Sequence, residues 1–462
     1  MPATSTDRTL VPDSTAASSL GRVSWVLFEW GRNPYVLVIT IYIYATYFSR
    51  DVVGDPVRGQ ALWAEIQGFA GLGVALLAPF LGAIADAGGR RKPWILFFSI
   101  VLALSTATLW FGEPMGMGLG LAGIGVVVAL SNIAYDGSLV FHSAMLPGIV
   151  PPERVGTWSG LGLGLGNMAG IVLLVFVLVF FYLPAEPLFG LDKAAHEHER
   201  IVGPLCALWF ALFSIPFFLF TPDRPSTGLP AGEAVRQGIS SAIRTVKSLN
   251  HYRNVGAFLL ARMFYNDGLN VMLAFGGIYA VGIFGWGEIE SALYGIILSV
   301  FAALGGLLGG RLADRIGAKR ALQFSLTGVI IGALASLGYA PDRIFFVVPY
   351  QPGTVVADLP VFRTAPELLY IATVMLIAVC LVATYANSRT MLARIAPHSR
   401  MTQFFGLYAL SGEATAFLAP IAIAVATTAT GSQQWGMVTT TGFLALGLIG
   451  LSFVREERAE AV

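Results

Sequence analysis

The chain has 462 residues, of which 56% are hydrophobic and only 12% are charged, and its formal net charge is +1. Soluble globular domains carry about 25% charged residues, so this composition excludes an ordinary soluble protein and indicates an integral membrane protein. The balanced charge gives no reason to expect a nucleic-acid partner. The two cysteines, Cys206 and Cys380, fall in apolar stretches, and we expect neither a disulfide nor a metal site.

Residues 1–20 are polar and lack the apolar core and cleavage site of a secretory signal, so we expect a cytoplasmic N-terminal tail. Twelve apolar runs follow. Each is about 20 residues long, the length that an α-helix needs to cross a hydrocarbon core of roughly 30 Å. The predicted spans are 25–49, 62–86, 93–112, 118–146, 157–183, 202–221, 255–284, 289–313, 321–340, 367–393, 403–428 and 435–454.

A short polar motif ends the second and the eighth of these runs, over residues 82–92 and 310–320. Both copies have glycine, then aspartate four residues later, glycine seven residues later and basic residues shortly after. The glycine allows close helix contact, and Asp86 or Asp314 offers a charge to a basic residue or to a helix N-terminus. Such contacts form in one conformation and break in another.

This motif resembles the loop between the second and third helices of each half of major facilitator transporters. The resemblance implies an all-α membrane protein with twelve spans in two six-helix pseudo-repeats. In that superfamily the aspartate and the following arginine latch the two halves, so the resemblance implies a gating role for Asp86, Arg90 and Asp314. In the second copy, Ala318 stands where the arginine would be. The alternative is a charged turn that only fixes topology.

The repeat extends beyond the motif, because several residues of 145–161 recur at 391–407. We therefore expect an N-terminal bundle over 21–222, a linker over 223–253, a C-terminal bundle over 254–455 and a C-terminal tail over 456–462. Of the 28 Lys and Arg residues, 19 fall on the side of the termini and the linker. Cytoplasmic loops retain basic residues, so both termini are predicted to be cytoplasmic.

The linker contains an apolar stripe at helical spacing, and we predict an amphipathic helix on the cytoplasmic membrane surface. The alternative is a solvated linker with a chance stripe. The stripe consists of Val235, Ile239, Ile243, Val246 and Leu249.

The functional hypothesis rests on ionisable residues inside the spans. Inserting each one into a bilayer costs free energy, so each needs a cavity or a partner. In the superfamily, the first, fourth, seventh and tenth spans line the central cavity. With neighbouring amides, the ionisable residues of these spans form our predicted substrate-binding set. Four acids and three bases in the membrane region suit a zwitterion or an anion, although some pairs could simply neutralise each other. The set is Glu29, Arg32, Asn132, Asp136, Arg262, Asn266, Asp267, Asn270, Asn387 and Arg389.

Three of the acids, Asp136, Asp267 and Glu413, are candidates for proton coupling, because burial and nearby arginines act in opposite directions on a carboxyl group. Glu413 has no base near it in sequence and is therefore the preferred proton carrier. Carboxylate and amide oxygens would also serve a sodium ion, which stays open as an alternative.

A narrower resemblance rests on several segments, including Glu29-Trp30, Asn132-Ile-Ala-Tyr-Asp136, Tyr265-Asn-Asp267 and 406–417. These are similar to the major facilitator branch that contains the fungal autophagy-related vacuolar amino-acid effluxer and related bacterial permeases. The chain has Arg32 where that branch usually has asparagine, which weakens the transfer of the fungal substrate.

We therefore expect a secondary active transporter that works by alternating access, moves a small zwitterionic or anionic metabolite such as an amino acid, and uses protons. The alternatives are an importer of peptide-like or muropeptide-like solutes, an amphipathic lipid flippase or a non-transporting sensor. We expect no enzyme activity, cofactor or metal, because catalytic triads and phosphate-binding loops are missing from the sequence. A monomer in a bacterial cytoplasmic membrane is expected.

Overall fold

The structure, a computed structural model, describes residues 17–247 and 252–457 and is almost entirely helical. Residues 1–16, 248–251 and 458–462, which include most of both predicted tails, lie outside the described residues. The α-helices are α1 (Ser19–Arg32), α2 (Tyr44–Tyr47), α3 (Pro56–Gly88), α4 (Lys92–Thr108), α5 (Gly120–Ile149), α6 (Val155–Val177), α7 (Glu197–Arg200), α8 (Val202–Phe220), α9 (Ala231–Lys247), α10 (Arg253–Phe284), α11 (Glu288–Ile316), α12 (Ala318–Ser336), α13 (Ala365–Ile395), α14 (Met401–Glu413), α15 (Leu418–Thr430) and α16 (Gln433–Ser452).

Within the described residues, ten helical segments are long and apolar enough to cross a membrane. They correspond to ten of the twelve predicted spans. The ninth span is present as α12, a 19-residue helix that falls outside these ten. The first span is helical but interrupted, so the count of twelve spans stays a prediction.

The first span changes its helical type where proline enters. The α1 helix ends at Arg32, Pro34 follows, and the chain continues as a π-helix over Tyr35–Tyr42. Proline removes a backbone donor and crowds the preceding turn, which accounts for a break at this point. The eleventh span is also divided, because residues 414–417 form a turn between α14 and α15.

Outside the spans, the predicted linker helix is present as α9. Its buried face consists of Ala234, Gly238 and Ala242, and an added Cβ at Gly238 would meet Ile84 of α3. Val235 and Ile239 of the predicted apolar stripe are exposed, whereas Leu249 lies outside the described part of the chain. The hairpin at 341–366 carries a two-stranded antiparallel sheet, β1 (Arg343–Ile344) and β2 (Val348–Pro349).

The two predicted bundles meet most closely where α6 crosses α11. A Cβ added at Gly160 would lie 2.9 Å from the Cα atom of Gly310, and one added at Gly306 would lie 2.7 Å from the backbone nitrogen of Gly164. The two backbones therefore touch without side chains between them, as small-residue helix pairs in membranes do. This crossing runs toward the end of the molecule that carries the duplicated motif, which we call the motif end.

Candidate functional site

A buried ion pair joins the two predicted bundles. Glu29 of α1 is fully buried, and its Oε1 accepts a hydrogen bond of 2.8 Å from Nη1 of Arg389 on α13. The other donors of Arg389 bind Ser159 of α6, Nη2 to its carbonyl oxygen (2.5 Å) and Nε to its hydroxyl (2.9 Å). Residues that are 360 positions apart thus form an ionic contact across the interface between the bundles.

The same carboxylate also binds a second guanidinium. Arg32 donates from Nη2 to Oε2 of Glu29 at 2.5 Å, and its guanidinium lies over the Tyr135 ring. His142 of α5 donates from Nε2 to the carbonyl oxygen of Trp25 and holds Nδ1 3.5 Å from Glu29. One carboxylate therefore binds two arginines, and Asp136 is a second acid that interacts electrostatically with Arg32.

A second polar group belongs to α10 and the end of α14. Arg262 donates from Nη1 to the carbonyl oxygen of Tyr408 (2.7 Å) and to the hydroxyl of Ser411 (2.9 Å). Its guanidinium lies 3.5 Å from the centre of the Tyr408 ring. Asn266, one turn later, donates to the carbonyl oxygen of Gly412 at 3.1 Å. Two side chains of α10 thus hold the last turn of α14.

The three predicted proton-coupling acids differ in their surroundings. Asp136 is half-buried and interacts electrostatically with Glu413 and Arg32. Glu413 is exposed and lies against α3, where a Cβ added at Gly71 would be 2.9 Å from its Oε2. Asp267 is 1% exposed, and neither of its carboxylate oxygens reaches a hydrogen-bonding partner within 17–247 and 252–457.

The predicted amides are also distributed unevenly. Asn132 accepts a hydrogen bond from the Tyr35 hydroxyl and contacts Gln67, and Asn270 accepts one from the Tyr385 hydroxyl. Asn387 is fully buried one turn after Thr384, whose hydroxyl bonds Ser325 of α12. Neither side-chain atom of its amide group has a hydrogen-bonding partner among the described residues.

At the motif end, Asp86 binds the N-terminus of α14. Its Oδ1 accepts a hydrogen bond from the Thr402 hydroxyl (2.7 Å), and its Oδ2 accepts one from the backbone N–H of Gln403 (2.9 Å). The arginine in this contact is Arg91, which is 2% exposed and lies 3.2 Å from Asp86, whereas the expected Arg90 is exposed. An acid at a helix N-terminus is stabilised by the helix dipole and by free N–H groups.

Asp314 makes the matching contact in the opposite direction. Its two carboxylate oxygens accept hydrogen bonds from the backbone N–H groups of Gly156 (2.8 Å) and Thr157 (2.6 Å), in the first turn of α6. The base missing at Ala318 is replaced by Arg394 of α13, whose Nη2 is 3.0 Å from Asp314. Each copy of the motif therefore caps a helix of the other bundle, and both contacts close the motif end.

Two further acids support these loops and were not predicted. Asp223 accepts hydrogen bonds from the N–H groups of Arg91 and Lys92, and Glu456 accepts them from Ala318 and Lys319. Burial acts to raise the pKa of Glu456, but these N–H groups and the Arg394 guanidinium hold that pKa below its usual value. Both acids directly follow the sixth span of their bundle, a repeat that the sequence contains.

We expect Asp86→Asn and Asp314→Asn each to weaken closure of the motif end. Asparagine keeps one acceptor oxygen but loses the charge, and a helix-capping charge contributes about 1–2 kcal/mol. A cysteine at Ala313, which is fully buried at the interface, would then react with a thiol reagent roughly 5–30 times faster. Asp358→Asn, an exposed loop acid, is the control. Unchanged labelling in both variants would contradict the closing role.

Comparison with known proteins shows which family has this sequence pattern and architecture. A family model described as "Vacuole effluxer Atg22 like" matches residues 66–155 and 154–461. The MFS-type transporter YxiO of Bacillus subtilis is 26% identical over 443 residues, covering 95% of this chain and 96% of YxiO. Autophagy-related protein 22 of Cryptococcus neoformans is 21% identical over 310 residues, covering 66% of this chain and 51% of the fungal protein.

Solved structures share the fold at low identity. The proton:xylose symporter XylE bound to 6-bromo-6-deoxy-D-glucose superimposes with a TM-score of 0.66 at 13% identity, covering 95% of this chain and 97% of XylE. A bacterial homologue of the iron transporter ferroportin in an outward-facing state gives 0.62 at 13% identity, covering 96% and 99%. The sequence-based assignment is confirmed: the chain belongs to the vacuole effluxer Atg22-like family and is a multi-pass membrane transporter with the major facilitator fold.

Proposed function

We propose that this transporter moves a small metabolite carrying a carboxylate, zwitterionic or anionic, such as an amino acid, by alternating access. The observation that supports this most strongly is the Glu29–Arg389 contact, which joins residues of the predicted first and tenth spans across the two bundles. An ion pair across a moving interface must break when the bundles separate. A substrate carboxylate then replaces Glu29 as the partner of a guanidinium.

The charges around this contact fit such a solute. Arg32 and Arg389 together outnumber Glu29, which favours an anionic group. Asp136 and Glu413 interact with each other electrostatically and offer negative charge to an ammonium group. A zwitterion would satisfy both, since an unpaired charge in a membrane is costly on either side.

We propose the proton as the coupling ion, with Glu413 and Asp136 as its carriers. Glu413 is exposed, so a proton can reach it, and Asp136 links it electrostatically to Arg32 of the central ion pair. Protonation of these acids would reduce the negative charge near the Arg32 guanidinium. This gives the proton a physical connection to the contact that closes the bundles.

The motif end, with its two helix-capping aspartates, is proposed to face the cytoplasm, since the basic residues of both motif copies lie there. Both termini and α9 would then also be cytoplasmic. We further propose a monomer in a bacterial cytoplasmic membrane, binding neither cofactor nor nucleic acid and catalysing no reaction.

The test uses purified protein in liposomes that contain a pH-sensitive dye. Amino acids, short peptides and organic acids are added as separate pools beside Glu413→Gln, with Glu186→Gln of an exposed loop as the matched control. We expect one pool to drive proton flux in the wild type and the control, reduced at least tenfold in Glu413→Gln, since a neutral amide carries no proton.

The remaining outcomes separate the parts of the proposal. Labelled solute that moves without protons would contradict proton coupling but not transport. If the peptide pool alone is active, the substrate is peptide-like. If no solute moves in any pool, transport of small metabolites is contradicted and a lipid flippase or a sensor becomes the better account.

A further inference from the structure

Asp267 of α10 has an unusual environment. It is 1% exposed, and both of its carboxylate oxygens are without a hydrogen-bonding partner in the described structure. A buried carboxylate without well-formed hydrogen bonds is costly, because it has lost its water and gained no full replacement for it. The sequence predicts a role for it in substrate binding or proton coupling, but the proton path proposed above uses only Glu413 and Asp136.

The neighbouring polar group is a hydroxyl in the same condition. Thr415 lies beside Asp267 and its hydroxyl interacts with that carboxylate, yet its buried Oγ1 makes no hydrogen bond of good geometry among the described residues. Thr415 belongs to the turn 414–417, where the eleventh span is interrupted between α14 and α15. Two unpaired oxygen-bearing side chains therefore meet at a helix interruption.

The interruption adds further negative potential. A helix C-terminus is the negative end of the helix dipole. The carbonyl oxygens of Leu410 and Gly412 each accept one hydrogen bond and keep a second lone pair. In membrane transporters, interrupted helices supply such carbonyls to bound cations. The last turn of α14 is held in place by the hydrogen bonds that Arg262 and Asn266 donate to it.

When Glu413 is deprotonated, the local charges are unbalanced by one unit. Asp267 interacts electrostatically with Glu413 and with Arg262, so two acids face one base. A single monovalent cation restores neutrality at this point, whereas a divalent ion would leave an excess positive charge. Carboxylate, hydroxyl and carbonyl oxygens are the ligands that hard cations take.

We propose that Asp267, Thr415 and the turn 414–417 bind one sodium ion, with both oxygens of Asp267 and the hydroxyl of Thr415 among its ligands. This deepens the proposed function, on which it rests for its meaning in transport, by adding a metal cation site distinct from the proton carriers. Sodium binding itself requires no transport and is measured independently of it.

The experiment is equilibrium binding of radioactive sodium to the purified full chain, with choline as the replacement cation, at an alkaline pH. Asp267→Asn removes the charge at constant size, and Thr415→Val removes only the hydroxyl. Asp358→Asn in the exposed outer loop is the matched control. Thermal unfolding with and without sodium provides a second readout, because a ligand that binds the native state stabilises it.

We expect saturable binding of one sodium ion in the wild type and the control, loss of binding in Asp267→Asn, and roughly tenfold weaker binding in Thr415→Val, the effect of losing one ligand. If Asp267→Asn does not fold, sodium binding by Thr415→Val still tests the inference. Absence of saturable sodium binding, as for a carboxyl group that is simply protonated, would overturn the inference. So would sodium binding that neither variant changes. The proposed function is tested separately: if protons alone drive solute flux, it stands whether or not the protein binds sodium.

Discussion

Replacing Glu29 by glutamine is expected to destabilise the transporter more than any other single change to the charged residues. Glu29 is the carboxylate that both Arg32 and Arg389 bind, at 2.5 and 2.8 Å. Its loss leaves two guanidinium groups, each at most 5% exposed, without the carboxylate that binds them both. Removal of one partner from a buried ion pair costs about 3–5 kcal/mol.

The measurement is thermal unfolding of the solubilised protein, with Glu186→Gln in an exposed loop as the control. A double variant, Glu29→Gln with Arg389→Gln, should recover part of the stability because it also removes one of the two uncompensated charges. If Glu29→Gln unfolds at the temperature of the wild type, the carboxylate does not hold the two arginines together. The buried network would then have no structural role.

The second large effect is expected for Gly160→Leu, at the crossing of α6 and α11. A side chain at Gly160 would enter the backbone of Gly306 and Gly310, which belong to the other bundle. Overpacking typically costs about 1–3 kcal/mol, and here the obstacle is backbone that cannot change its rotamer. The bundles can relieve the clash only by moving apart at the motif end.

Spin labels at Arg90 and Arg315, both exposed residues of the two motif copies, report this movement as a longer distance between the labels. The native cysteines, Cys206 and Cys380, are buried. Gly256→Leu on α10 is the matched control, since an added Cβ at Gly256 meets nothing within 4 Å among the described atoms. An unchanged distance in Gly160→Leu would show that the crossing does not set the separation of the bundles.

Hydropathy and internal repetition predicted the helical architecture well, because both depend on composition over many residues. The apolar runs correspond to helices, and the duplicated motif identified Asp86 and Asp314, which the structure places at helix N-termini of the opposite bundle. The helix interruptions at Pro34 and at 414–417 were not predicted. Span hydropathy is an average, and it does not change when a helix breaks within an apolar run.

The ion-pair partners of individual side chains were harder to predict. Arg90 and Arg91 are adjacent and chemically identical, and only the path of the loop decides which one reaches Asp86. The pairing of Glu29 with Arg389 depends on how two bundles meet, and no local spacing encodes a contact between residues so far apart. Asn387 is fully buried, and its predicted role in binding stays a prediction.

Alternating access is most directly tested by measuring the distance between spin labels at Arg90 and Arg315 in liposomes, before and after addition of the solute pool that drives flux. We expect a single short distance in the closed state and a second, longer distance when solute is present, because the caps at Asp86 and Asp314 must release. A single distance that stays unchanged during measured transport would contradict it.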